Sequence, residues 1–125
     1  MSTPDEPRGR EFLEKARPEA MNHLLAFFKE SAKHLDPKTR FLILNNPVNP
    51  SGTMWSRDDL ATVAALCVRH DLIAICDEVW EHVVFDGAHV PLLAMPGMRD
   101  RCVKIGSAGK IFALTGWKIG WMLAA

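Results

Sequence analysis

No tyrosine, no surplus of either charge and no long apolar run occurs in this chain of 125 residues. Basic and acidic side chains number 15 each, so nothing favours a nucleic acid partner or an acidic tail. The apolar stretches fall far short of the roughly 20 residues that a helix needs to cross a bilayer, so we expect no membrane partner. The polar first residues lack the apolar centre of a signal peptide. This composition predicts one soluble globular domain.

Cysteine is scarce and metal-binding spacings are missing. Cys67, Cys76 and Cys102 form an odd set without a CxxC pair. This pattern excludes a disulfide framework of the secreted type and predicts a reduced, cytoplasmic protein with small buried thiols. The five histidines are scattered, and none pairs with cysteine or a carboxylate at metal-ligand spacing. We therefore predict no metal site.

The N-terminal third is predicted to be poor in tertiary structure. Residues 1–10 are polar, contain two prolines and a glycine, and are expected to be disordered. Residues 11–37 are interpreted as a helical lead-in, with a helix from about Pro18 to Leu35. Apolar residues recur there at steps of three and four, and Asp36-Pro37 ends the pattern.

Strand and helix patterns alternate through the rest of the chain. Phe41–Leu44 is a continuous apolar run, which predicts an interior strand buried on both faces. Ser56 and Asp59 can form a capping box at the start of a helix that ends near His70. Further predicted elements are strands at Leu72–Cys76, Cys102–Ser107 and Trp117–Leu123, and a short extended piece at Val83–Phe85. A loop is predicted at Asn45–Gly52, and a loop or a short helical turn at Pro91–Gly97.

This alternation predicts an α/β fold with a mostly parallel sheet and flanking helices. In such sheets, ligands bind beyond the carboxyl ends of the strands. Asn49 follows the first predicted strand, Asp77 the second, and Ser107 and Lys110 the third. We therefore expect these four residues to share one site.

Each of these polar residues also has a plainer interpretation. A carboxylate directly after a buried strand, as at Asp77, can pair with a cationic ring nitrogen, but it can also cap a turn. Asn49 lies between Pro47 and Pro50, which would hold its amide with little entropy loss, although an Asx turn is equally compatible. Lys110 follows small residues that allow a ligand to approach closely, yet most lysines are simply solvated.

Three motifs resemble one enzyme family. Asn46–Gly52 resembles the NPxNPxG loop of class I/II aminotransferases, which are pyridoxal-phosphate enzymes of fold type I. Cys76–Trp80 resembles their DEVY segment, and Ser107–Gly120 resembles their SxxK…TGWRxG segment. The three motifs occur in family order over residues 38–125, which would form part of the cofactor-binding large domain. The residues of these motifs are most similar to those of the kynurenine/glutamine and methionine-type branch. Some members of this branch also catalyse cysteine-conjugate β-elimination.

The resemblance implies a role for each matching residue. Lys110 would hold pyridoxal 5'-phosphate through a Schiff base and move the proton at the substrate α-carbon. Asp77 would pair with the pyridine nitrogen, and Asn49 would donate to the phenolic oxygen. Ser107 and Lys118 would contact the phosphate. The implied reaction transfers an amino group between an amino acid and a 2-oxo acid.

The sequence departs from the family pattern at two of these positions. Trp80 stands where the family usually has tyrosine, and its indole offers a donor without an ionisable hydroxyl. Lys118 stands where many members have arginine, so the charge is kept and the bidentate fork is lost. Three parts of the family's enzymes have no match in this sequence: the upstream glycine-rich turn, the aromatic residue that stacks on the cofactor ring, and the small domain. We therefore expect a chain truncated at both ends, whose full-length parent is a homodimer.

Three alternatives remain at this stage. Ser107-x-x-Lys110 also fits the serine nucleophile motif of β-lactamases, but the SDN and KTG motifs that accompany it do not occur. The chain could be a non-catalytic piece with weak or no cofactor binding, because missing elements would leave sheet edges and apolar faces uncovered. Asn49, Asp77 and Lys110 could also be separate caps and surface groups.

Overall fold

The structure is a computed structural model that describes residues 19, 22–23 and 25–125. Contacts divide the chain into two units, Met1–Leu35 and Asp36–Ala125. In the first unit, residues 25–32 are helical and residues 33–34 form a turn, so the helix ends earlier than predicted. The predicted disorder of residues 1–10 lies outside the described residues.

The second unit contains a four-stranded sheet in the order β1-β2-β3-β4. Neighbouring strands β1 and β2 are parallel, as are β2 and β3, whereas β4 is antiparallel to β3. This arrangement confirms the predicted α/β fold with a mostly parallel sheet. The elements are β1 Phe41–Asn45, helix α1 Arg57–Arg69, β2 Ile73–Asp77, β3 Cys102–Ser107, helix α2 Ala108–Ile111 and β4 Gly120–Leu123.

Helix α1 starts where the capping box predicted. The Ser56 side chain accepts from the Asp59 amide, and the Asp59 carboxylate accepts from the Ser56 amide. The apolar stripe predicted for this helix is buried, at Leu60, Val63, Ala64 and Cys67. Among the residues that the structure describes, no helix has both the length and the apolar character needed to span a membrane.

The two faces of the sheet are buried to very different degrees. Leu44, Cys76 and Cys102 point to one face and are almost fully buried. Burial, together with the nearby Cys102 of β3, raises the pKa of Cys67 of α1, so α1 covers this face. On the opposite face Ile43 is 76% exposed. The prediction that β1 is buried on both faces was therefore wrong, because β1 is an edge strand with one face uncovered.

One strand begins later than predicted. The strand predicted to start at Trp117 begins only at Gly120, because Thr115–Trp117 forms a 3-10 turn. The short extended piece predicted at Val83–Phe85 is assigned to neither a helix nor a strand. The apolar run of β4 was detected correctly, but its start depends on the pairing with β3, which local sequence does not specify.

Candidate functional site

The carboxyl ends of β1 and β2 are joined at the backbone oxygen of Asp77. This oxygen accepts from the backbone amide of Asn46 at 3.0 Å and from the side-chain amide of Asn45, also at 3.0 Å. Asn45 and Asp77 are paired in register, so their side chains point to the same face of the sheet. The candidate site therefore lies around the end of β2, where the strand pattern places Asp77.

Asn45 also holds the loop that carries Asn49. Its side-chain oxygen accepts from the backbone amide of Asn49 at 2.5 Å. The next residue, Asn46, is 1% exposed, and its side-chain oxygen accepts from the Trp55 amide at 3.2 Å. Asn45 thus connects the Asn49 loop to Asp77, while Asn46 fixes the base of that loop.

Lys110 and Trp80 are in direct contact. The Lys110 ammonium nitrogen lies 4.6 Å from the centroid of the Trp80 ring, within cation–π range. Trp80 belongs to the turn that follows β2, and the Val79 amide of this turn donates to the Asp77 carboxylate at 3.3 Å. A single turn therefore joins the carboxylate to the ring against which the lysine packs.

Ser107 and Lys118 lie at the same edge of the sheet. Ser107 ends β3 and is paired with Gly120, two residues after Lys118. The amide of Ala108 donates to the carbonyl of Ile119 at 3.1 Å, which holds the segment of Lys118 beside the end of β3. Lys118 has a left-handed backbone with φ of 52°. The structure thus brings all six predicted residues to one edge.

Several polar groups of these residues have unused hydrogen-bonding capacity. Ser107 precedes α2 but makes no side-chain capping bond. Within the described part of the chain, the side-chain amide of Asn49 and the second carboxylate oxygen of Asp77 show no hydrogen bond. No direct hydrogen bond joins the side chains of the six predicted residues among those the structure covers.

A buried charge network lies immediately beside Asp77. Glu78 is completely buried, and its Oε2 accepts from His89 Nε2 at 2.9 Å. The ammonium nitrogen of Lys104 lies 3.6 Å from the same oxygen and also pairs closely with Glu81. His89 thus pairs in space with a carboxylate that does not stand at metal-ligand spacing from it in the sequence. The pairing was missed because eleven residues separate His89 from Glu78 and the chain between them folds back.

This network also has the outline of a metal site. Ligand atoms of Glu78, Glu81 and His89 lie within 4.8 Å of one another. However, the Lys104 ammonium already contacts both carboxylates. A metal ion would have to displace this cation, so we interpret the cluster as an internal ion-pair network.

All three cysteine thiols are buried. Burial raises the pKa of Cys67 from 9.0 to about 11. The hydrogen bond between Cys76 and Cys102, together with burial, raises the pKa of Cys76, whereas the same hydrogen bond lowers the pKa of Cys102. Because the reactive form of cysteine is the thiolate, Cys67 and Cys76 are poorly suited to nucleophilic chemistry and act as small core side chains.

Sequence reasoning missed Asn45, Asn46 and Glu78. A detectable signal existed for the asparagines, because two adjacent amides at the end of a buried strand are costly unless they are hydrogen-bonded. Glu78 directly follows Asp77 and offered a comparable signal. Its partners, however, come from distant parts of the chain and could not be inferred locally.

Comparisons with known proteins agree on one family. The model of the family described as aminotransferase class I and II matches residues 17–125. Kynurenine–oxoglutarate transaminase 1 of Rattus norvegicus is 50% identical over 95 residues, which cover 75% of this chain and 22% of that protein. A probable N-succinyldiaminopimelate aminotransferase of Mycobacterium tuberculosis is 51% identical over 86 residues, covering 68% of this chain and 22% of that protein.

Solved structures show the same relationship. The N-succinyldiaminopimelate aminotransferase from Mycobacterium tuberculosis superposes with a TM-score of 0.73 at 45% identity, covering 75% of this chain and 25% of that one. The aromatic aminotransferase from Pyrococcus horikoshii gives a TM-score of 0.74 at 40% identity, covering 78% and 26%. The chain spans about a fifth of the length of the curated relatives that it matches.

Proposed function

Because this chain belongs to the aminotransferase class I and II family, we propose that it carries part of a pyridoxal-phosphate site for amino transfer between an amino acid and a 2-oxo acid. The observation that supports this most directly is the contact of Lys110 with Trp80, whose turn also holds the Asp77 carboxylate. An amine and an acid at the same sheet edge are what this cofactor requires of a protein.

The donor set fits pyridoxal 5'-phosphate. A ring nitrogen, a phenolic oxygen and a phosphate need an acid, a neutral donor, and hydroxyl or cationic groups. Asp77, Asn49, Ser107 and Lys118 offer these groups at one edge, and the first three have unused hydrogen-bonding capacity. When bound to Lys110, this cofactor supplies an electron sink that weakens bonds at the α-carbon of an amino acid.

Each side chain then has a defined task. Asp77 keeps a proton at the ring nitrogen by opposing its positive charge, and Asn49 donates to the phenolic oxygen. Ser107 and Lys118 bind the phosphate through a hydroxyl and an ammonium group. The Lys110 amine carries the proton to and from the substrate α-carbon. Trp80 packs against Lys110 and limits the directions from which the lysine amine can reach a bound molecule.

The substrates, assembly and location of the protein are part of the same proposal. The similar transferase from Rattus norvegicus makes kynurenine and 2-oxoglutarate the first pair to test. We propose a homodimer for the full-length parent and a cytoplasmic location, the latter because all three cysteines are free thiols. Sedimentation of the full-length protein tests the dimer.

Cofactor binding is tested by visible spectroscopy of the 125-residue chain with pyridoxal phosphate. We expect an absorption band that is lost in Lys110→Ala, because Lys110 is the lysine proposed to form the Schiff base, whereas Lys118 is proposed to bind the phosphate. Lys38→Ala is the matched control, since Lys38 is exposed and lies outside the site. Equal bands from the unaltered chain and Lys110→Ala would contradict the proposal.

Amino transfer is tested after cofactor binding has been established. The chain with bound cofactor is mixed with L-kynurenine and then with 2-oxoglutarate, and glutamate is measured. Formation of glutamate that depends on Lys110 supports transfer by this chain. A cofactor band without glutamate restricts the function of these residues to cofactor binding and places the transfer in the longer enzyme.

A further inference from the structure

The Glu78 network, which consists of Glu78, Glu81, His89 and Lys104, is more heavily buried than the candidate site beside it. The Glu78 side chain is 0% exposed, and those of His89 and Lys104 are 8% and 12% exposed. A buried carboxylate is tolerated only when its oxygens are paired, and loss of one partner leaves an uncompensated charge. The network therefore holds its members in one arrangement.

Glu78 also anchors the segment that follows β2 at two places. Its backbone amide donates to the carbonyl of Ile105 on β3 at 3.1 Å. Its Oε1 accepts from the amide of Leu92 at 3.3 Å, so the far end of the segment 78–92 returns to the same carboxylate. This one side chain thus closes the segment against the sheet.

The anchored segment carries the groups that face the candidate site. Glu78 lies between Asp77 and Val79, and the Val79 amide orients the Asp77 carboxylate. Trp80 comes next and contacts Lys110. A shift of Glu78 would therefore change the direction of the carboxylate and the position of the indole together.

We propose that the Glu78 network positions Asp77 and Trp80, with His89 as the group that fixes the Glu78 carboxylate through its hydrogen bond to Oε2. This inference rests on the proposed function, because positioning matters only if a cofactor binds to Asp77 and Lys110. The members of the network are positioning residues and do not touch the reacting atoms.

The first test uses the chain without cofactor. In His89→Ala, we expect backbone hydrogen exchange in residues 78–82 to become roughly tenfold faster, since a hydrogen bond to a buried charge is lost. His89→Gln keeps a donor for Glu78 and should exchange nearly as slowly as the unaltered chain. His82→Ala is the matched control, because His82 is exposed and lies outside the network. Unchanged exchange in a folded His89→Ala chain overturns the proposal.

The second test adds pyridoxal phosphate. His89→Ala should bind it roughly tenfold more weakly, and the pH midpoint of the Lys110-dependent band should move by about one unit as Asp77 loses its orientation. His89→Gln should restore both values. A weaker band with an unchanged midpoint indicates a purely structural role and overturns positioning. If His89→Ala does not fold, Glu78→Gln, which keeps the shape and removes the charge, provides the same comparison.

The two proposals can fail separately. Absence of a Lys110-dependent band in the unaltered chain overturns the proposed function and the positioning role that depends on it. A normal band in the unaltered chain, together with normal affinity and midpoint in both His89→Ala and Glu78→Gln, overturns the positioning role alone.

Discussion

Lys118 combines backbone strain with a charge at the candidate site. Its φ of 52° lies in the left-handed region, which costs a residue with a side chain about 1–2 kcal/mol. Ala113, in the same segment, has a similar φ of 55°. Strain of this kind persists where the surrounding structure or the function requires the residue. At Lys118 the requirement that we propose is an ammonium group for the phosphate.

Replacing Lys118 by glycine should separate the two effects. Strain is relieved, while the greater freedom of glycine in the unfolded chain offsets part of the gain, so stability should change by less than about 1 kcal/mol. Affinity for pyridoxal phosphate should fall roughly tenfold because a charged donor is lost. Urea unfolding and titration of the visible band measure the two quantities.

Ala113→Gly serves as the control for Lys118→Gly, since it relieves a similar strain without removing a charge. It should leave cofactor affinity unchanged. Equal losses of affinity in both variants would show that backbone flexibility, and not the ammonium group, determines phosphate binding.

The pairing of β3 with β4 depends on the absence of a side chain at Gly106. A Cβ atom at this position would lie 2.2 Å from Nε1 of Trp121, the residue paired with Gly106 across the two strands. The antiparallel strand β4 also leads back to the segment of Lys118. The geometry of the Lys118 segment thus depends on the pairing of a glycine with a tryptophan, which motif comparison alone does not reveal.

Gly106→Ala should therefore destabilise the chain by about 1–3 kcal/mol, the usual cost of forcing an extra group into a packed position. The ring of Trp121 cannot remain in place when a methyl group occupies the same volume. Thermal or urea unfolding measures the loss. In the background of Trp121→Ala the same change should cost much less, and equal costs in both backgrounds would argue against this contact as the cause.

The face of the sheet opposite α1 is largely apolar and partly exposed. Phe41, Ile43 and Met122 are 59%, 76% and 73% exposed, and register places them on the same face as Asp77 and Ile105. Single exposed apolar residues are common, but a contiguous face of this kind marks an interaction surface or a tendency to associate. It lies on the side of the sheet opposite to α1.

We expect this face to bind 8-anilinonaphthalene-1-sulfonate (ANS) under native conditions, because the dye binds contiguous apolar surface. Ile43→Thr combined with Met122→Thr should lower dye fluorescence and self-association. Phe85→Ser is the control, since Phe85 is 92% exposed and lies outside the sheet. A larger decrease with Phe85→Ser would show that the sheet face is not the binding surface.

The sequence by itself determined the elements and the identity of the candidate groups. Continuous apolar runs, the capping box of Ser56 and Asp59, and the ends of the predicted strands depend on neighbouring residues, so local pattern was sufficient. The predicted places of Asp77 and Ser107 at the ends of β2 and β3 follow from the same pattern.

Only the tertiary structure decided which groups meet. The contact of Lys110 with Trp80, the link from Asn49 through Asn45 to Asp77, and the pairing of His89 with Glu78 join residues from different elements or loops. The exposure of β1 likewise depends on what packs on each face and not on its own apolar run. Such contacts depend on how the chain folds back in space. A local sequence pattern carries no information about which residues distant in the sequence become neighbours.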